Sequence, residues 1–110
     1  MGSDKKLIRK NFRDACYQRD KYCCAKCGAK SSKDSAEKEL DAHHITNRDL
    51  LPNGGYVKEN GISLCPDCHI KAEVYHSTGT PIEGYSMDDL YKIINSNLEK
   101  AVKASEKLKS

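Results

Sequence analysis

The sequence predicts an α+β fold with only two short strands. Three observations carry this expectation. Apolar residues recur at helical spacing near both ends of the chain, two brief apolar runs lie at 40–45 and 61–65, and a C-x-x-C pair stands close to each run. With 110 residues there is material for one domain. Only 37% of the residues are hydrophobic, so the core must be thin and a chain of this size needs a staple.

The elements follow in order. Residues 5–20 read as a helix, with Ile8, Phe12, Ala15/Cys16 and Arg19 on one spacing and Lys/Arg over much of the rest. CCAKCG (23–28) is a tight cysteine-bearing turn, and 29–38 is polar, aperiodic and expected to be an exposed loop. LDAHHI (40–45) is the first strand. The connection 46–60 holds Pro52 and Gly54-Gly55 and is long enough to suggest a functional, ordered loop. GISLC (61–65) is the second strand, and Pro66 then opens a helix to about residue 77, where proline's missing N–H does no harm. Residues 78–85 connect to a capping-box start at Ser86. A C-terminal helix over about 86–105 follows, with Leu90, Ile94, Leu98, Ala101/Val102 and Ser105 on one face. Two strands alone are marginal in water, so something must tie them down.

The net charge of +3 excludes a histone-like polybasic protein. The charge is uneven, however. Residues 1–39 carry 11 Lys/Arg against 6 Asp/Glu, and the remainder carries 8 against 10. The basic front either faces a polyanion or is a solvated helix face. No apolar run approaches the ~20 residues of a membrane span. The N-terminus lacks the apolar stretch of a secretory signal, and Lys6 breaks a myristoylation pattern at Gly2. A soluble, cytoplasmic protein in a reducing compartment is expected, where cysteines serve as metal ligands rather than disulfides.

Cys24 and Cys27 form one C-x-x-C, and Cys65 and Cys68 form the other. Two intervening residues let both sulfurs reach one cation, and two such pairs complete a tetrahedron that suits Zn²⁺. This clip would join the front of the chain to its second half and make metal binding part of folding. Cys23 has the wrong spacing to Cys27 for the short turn, and Cys16 on the apolar helix face reads as a small core residue. The clip does not account for the histidines. His43 and His44 adjoin on the first strand, and His69 follows the last clip cysteine. Pairing the strands and packing the helix across them would gather imidazoles suited to metal ligation or proton abstraction.

D-A-H-H-I, then Asn60-Gly61-Ile62, then L-C-P-D-C-H, framed by C-x-x-C, resembles an HNH endonuclease of the ββα-metal (His-Me finger) type. The resemblance covers roughly residues 19–76. The run from His43 to Cys65 also resembles small phage-encoded members. It implies a ββα-metal finger stabilised by a four-cysteine zinc site, with a core of about 19–77 between flanking N- and C-terminal helices. It further implies that His44 is the general base, that His69 ligates a catalytic divalent ion, and that Asn60 holds the loop and orients the base. The residue before the base is commonly an aspartate ligand, and here it is His43. Two imidazoles make a softer site, so Mn²⁺, Co²⁺ or Ni²⁺ should serve at least as well as Mg²⁺, with Zn²⁺ a further possible ion.

Neighbours on a regular strand point to opposite faces. His43 and His44 can therefore serve one phosphate only if the strand ends or twists there; otherwise His43 is a buried histidine with a backbone partner. Glu73, four residues after His69, is either a third ligand, an acceptor that orients His69, or an exposed helix carboxylate. His76 reads as a surface histidine, Arg48 as a solvated loop arginine or a phosphate contact, and Asp41 as a strand-edge charge. The resemblance implies DNA, duplex first, as substrate, with 5′-phosphate and 3′-hydroxyl products, acting alone, as a homodimer or with a partner protein. The rival is a zinc-stabilised nucleic-acid-binding module without catalysis, which explains the cysteines and the basic front but leaves His43, His44, Asn60 and His69 without a purpose.

Overall fold

The computed structural model describes residues 2–108, with side chains from residue 5 onward. The order is α1 (Gly2–Arg19), α2 (Ala36–Glu39), β1 (Asp41–His44), β2 (Gly61–Leu64), α3 (Pro66–Thr78), α4 (Met87–Ile93) and α5 (Leu98–Glu106). β1 and β2 pair antiparallel, with His43 opposite Ile62 and His44 opposite Gly61. With α3 following directly, the centre of the chain is a ββα unit flanked by helices.

A two-stranded sheet leaves one edge of each strand unpaired, and the end of α1 supplies what the free edge of β2 lacks. Asp20 Oδ2 accepts the Ser63 N–H at 2.9 Å, Ala25 N–H donates to the Ser63 carbonyl at 2.8 Å, and Arg19 donates to the Gly61 carbonyl at 2.7 Å. Arg19 and Asp20 also form a salt bridge at 2.8 Å, so the clamp is internally neutral. The contact is close enough to need glycine. A Cβ on Gly61 would collide with Cys16 Sγ and the Phe12 ring. Below this interface, Tyr17, Leu40, Ile45, Ile62, Leu64, Ala72, Leu90, Tyr91 and Ala101 form one buried cluster. Cys16 is fully buried, and burial pushes its thiol up to about 12, as befits an inert core residue.

Two parts of the chain differ from expectation. The stretch 29–38 is not wholly exposed loop: it ends in α2, which starts at the buried Ala36. The single C-terminal helix expected over 86–105 is two helices. α4 starts with the expected capping box, Ser86 Oγ accepting from Asp89 N–H at 3.1 Å. The chain then breaks at Asn95, which takes a left-handed φ of 57°, and Asn97 caps α5 by accepting from Lys100 N–H at 2.9 Å. Asparagine tolerates the left-handed region and caps helices well, so Asn95 and Asn97 outweigh the continuous apolar spacing. α3 stops where Gly79, at φ 82°, turns its N–H back onto the Tyr75 carbonyl. Among the described residues no helix is long and apolar enough to cross a membrane.

Candidate active site

Two clusters of metal-ligand side chains lie along α3. The first uses its start. One sulfur each from Cys24, Cys27, Cys65 and Cys68 lies within 4.8 Å of the others, and none is in a disulfide. The knuckle prepares its sulfurs for a cation. Burial pushes the Cys24 thiol up, but N–H groups of Cys27, Cys65 and Lys26 outweigh this and bring it down to about 7. Cys68 goes the other way, up to about 12, chiefly through burial and against a hydrogen bond from Tyr85 Oη at 3.5 Å, with the Cys65 and Cys24 sulfurs adding to the rise. Crowded thiols of this kind release their protons when a cation takes their place, so the set is chemically fit to hold a metal ion. Cys23, half-buried beside the knuckle, is not part of the set.

The second cluster lies on the following turns of the same helix. Donor atoms of His43, His69 and Glu73 fall within 4.8 Å of one another. The spacing of His69, Glu73 and His76 puts all three on the face of α3 that covers β1. His43 is 1% exposed, and its Nδ1 stands 2.9 Å from Glu73 Oε2 at an angle that makes no hydrogen bond. Burial holds the His43 ring neutral, down to about 3, with His69, His76 and His44 adding to the effect. A buried ring nitrogen without a partner, facing a second imidazole and a carboxylate, is a donor set fit for a divalent cation. Glu73 is therefore in the cluster as a candidate ligand, one of the roles the sequence left open. Asp41 is more than a strand-edge charge. Its Oδ2 lies 3.3 Å from His69 Nδ1, on the side away from Glu73, which stands 3.7 Å from His69 Nε2.

β1 ends at His44, the condition for the two neighbours to serve one phosphate, although His43 and His44 still keep the alternation of a strand. His43 faces α3. His44 faces α1, its ring 4.7 Å from Phe12 and 4.7 Å from Tyr56, edge-on to the latter. The three imidazoles therefore do not ring a single point. Only His44 among them lines a hollow of about 270 Å³, with Asn47, Arg48 and Glu73, so that His44 and the carboxylate of the His43/His69/Glu73 cluster border the same open space. His44 Nε2 is enclosed and unpartnered. Burial, then Arg48 and His76, hold the ring neutral, down to about 4. His76 is not a free surface group: its Nε2 lies 2.9 Å from the His44 carbonyl oxygen and ties α3 to the end of β1.

The Asn60 amide makes no hydrogen bond to any of these rings. It is fully buried, and its amide is saturated by the connection between the strands together with Tyr91 of α4. Oδ1 accepts from Thr46 N–H at 2.9 Å and from Tyr91 Oη at 2.8 Å, while Nδ2 donates to the carbonyls of Thr46 at 3.1 Å and Gly55 at 3.3 Å. It fixes the backbone two residues beyond His44, and so acts on the histidine through the chain. Tyr91 of α4, which the sequence reading did not single out, completes this network with Thr46 Oγ1 at 2.6 Å. Arg48 is held in place, its Nη1 donating to Tyr56 Oη at 3.1 Å.

A ββα unit with a four-cysteine clip and a His/His/Glu cluster at its centre is the architecture of the ββα-metal class. The family model described as HNH endonuclease matches residues 24–74, a segment that runs from the first clip cysteine past Glu73. Over this segment, 51 of the 110 residues, the chain is similar to the HNH endonuclease family. No curated protein and no solved structure gave a significant match to the chain.

Proposed function

We propose that the protein is a metal-dependent endonuclease that hydrolyses DNA phosphodiester bonds. The observation that carries this reading is the His43/His69/Glu73 cluster opening, through Glu73, onto the hollow that His44 lines. Cys24, Cys27, Cys65 and Cys68 would hold a structural Zn²⁺, because four thiolates without a redox partner suit that ion. His43, His69 and Glu73 would hold the catalytic divalent ion, and two imidazoles with one carboxylate suit Mn²⁺, Co²⁺ or Ni²⁺ at least as well as Mg²⁺. Such an ion, when bound, supplies positive charge for a non-bridging phosphate oxygen and the departing 3′-oxygen.

The chain's own groups do the rest. With Nε2 enclosed, His44 addresses the hollow through Nδ1 and takes a proton from the attacking water. The neutral form needed for this is the one burial enforces. Phe12 and Tyr56 hold the ring, and Asn60 and His76 hold the backbone that carries it. Arg48, at the mouth of the same hollow, offers a fixed guanidinium to the phosphate. The reading places the protein inside the cell, where its six thiols stay reduced.

The test is plasmid nicking with Mn²⁺, with and without EDTA, alongside His44→Ala. Cleavage that needs the ion and is lost in the variant, while zinc content and DNA binding persist, supports the reading. Equal cleavage by both proteins would refute it, and no cleavage by either would favour a non-catalytic binding module.

A further inference from the structure

Five of the six cations of α1 fall in two stripes. Lys6 and Lys10 lie on one stripe, where Lys10 pairs closely with Asp14 one turn on, whereas Arg13 on the other meets only the exposed Glu37 carboxylate, at 3.9 Å. Lys5, Arg9 and Arg13 recur every four residues on the other, which spans about 12 Å of helix at 1.5 Å per residue. That second stripe borders two hollows. One, of about 350 Å³, is lined by Lys5, Ile8, Arg9, Asn53 and Tyr56. The next, of about 250 Å³, is lined by Arg9, Phe12, Arg13, Ala42, His44, Arg48 and Tyr56. Arg9 and Tyr56 belong to both. His44 and Arg48 belong to the second and also to the hollow that contains Glu73. The three are thus consecutive reaches of one trough, which starts at the candidate active site and runs out along α1.

The lining of the two outer reaches has the chemistry of a nucleic-acid track. Among the described residues no carboxylate lines either of them, while Lys5, Arg9, Arg13 and Arg48 do. The floor is aromatic. Tyr56 meets Phe12 edge-on at 5.7 Å, the Arg9 guanidinium stands 5.9 Å over the Tyr56 ring, and the Tyr56 hydroxyl accepts from Arg48. Tyr56 thus orders two arginines and also packs on His44, which ties the track to the candidate base. Twelve ångströms of cations match about three to four nucleotides of one strand, at 3.4 Å of axis each.

We propose that the Lys5–Arg9–Arg13 stripe, with Arg48 and Tyr56, seats the DNA strand that leaves the cleavage point, gripping it by its phosphates. This rests on the endonuclease reading but concerns binding alone. Because the side chains offered are cations rather than base-reading amides, affinity along this track is independent of sequence. Phosphate contacts release counterions, so each contributes a slope of about −0.9 to the dependence of log affinity on log salt.

The experiment measures binding of a 30-base-pair duplex by fluorescence anisotropy in EDTA, where no cleavage occurs, across a salt series. Arg9→Ala/Arg13→Ala is compared with wild type and with Lys103→Ala, whose lysine lies outside the trough and pairs with Glu99. The replaced arginines project from a helix surface, and circular dichroism of the variant checks that the fold persists. The proposal predicts at least a tenfold loss of affinity and a salt slope shallower by about 1.5–2 for the double variant. It also predicts the same loss on duplexes of unrelated sequence and no change for Lys103→Ala. Unchanged affinity and slope in the double variant would overturn the track and leave the endonuclease reading standing. A chain that binds through Arg9 and Arg13 but never cleaves would do the reverse.

Discussion

The two ligand clusters on α3 are built to opposite plans. The cysteine set draws on two distant segments, the 24–27 knuckle and the start of α3, and backbone N–H groups already serve its sulfurs. It is closed, with four like ligands. The His43/His69/Glu73 set offers three candidate ligands, and its carboxylate is 50% exposed on the edge of an open hollow. A closed set suits holding a fold together, and an open one leaves room for substrate. One helix serves both. Cys65 and Cys68 anchor the N-terminal turn, and that anchor sets the rotation at which His69 and Glu73 meet His43. On the proposed reading, chemistry at the open site would depend on the closed one, while the fold would not depend on the open one.

The sharpest way to break this comparison is Cys65→Ser. If the clip is structural, loss of one ligand costs several kcal/mol of a folding free energy to which a structural metal contributes ~10 kcal/mol or more. Circular dichroism and thermal melting should then report a largely unfolded chain. A variant that melts like wild type would show that the clip is dispensable. Next comes Asn60→Ala. It removes four buried hydrogen bonds at the loop that follows His44, and a loss of about 3 kcal/mol is expected in urea denaturation. Tyr91→Phe probes the same network at a single hydroxyl.

Asp41→Ala sharpens the comparison at the open site alone. Removing the carboxylate beside His69 Nδ1 should weaken Mn²⁺ binding ~10- to 100-fold by calorimetry. Zinc content and melting temperature should stay unchanged. A matching loss of zinc would mean that the two sites are not separable. Smallest is Tyr91→Phe, expected at about 1 kcal/mol, with metal binding at both sites intact.

What could be read from the sequence has a common character. The two strands, the helix opened by Pro66 and the cysteine clip are written in local spacing, and spacing survives without coordinates. His43, His44 and His69 stand out beside them, whereas Asn60 and the roles of all four come only from the resemblance to the HNH family. The missing pieces come from afar. Tyr91 reaches Asn60 across 31 residues, and Asp41 meets His69 only because β1 lies under α3. Tyr56 had no motif to mark it, yet it touches His44, Phe12 and Arg48. The C-terminal helix was misread because apolar periodicity runs unbroken through Asn95 and Asn97, where turn and cap chemistry overrides it.

The most direct measurement of the central claim is a Mn²⁺ titration of plasmid cleavage by zinc-loaded protein, wild type against His44→Ala. Wild type should gain cleavage as the ion is added, and the variant should fall ~100-fold or more below it at saturation while melting at the same temperature. Cleavage by His44→Ala at the wild-type rate, or a rate indifferent to Mn²⁺, would contradict the account.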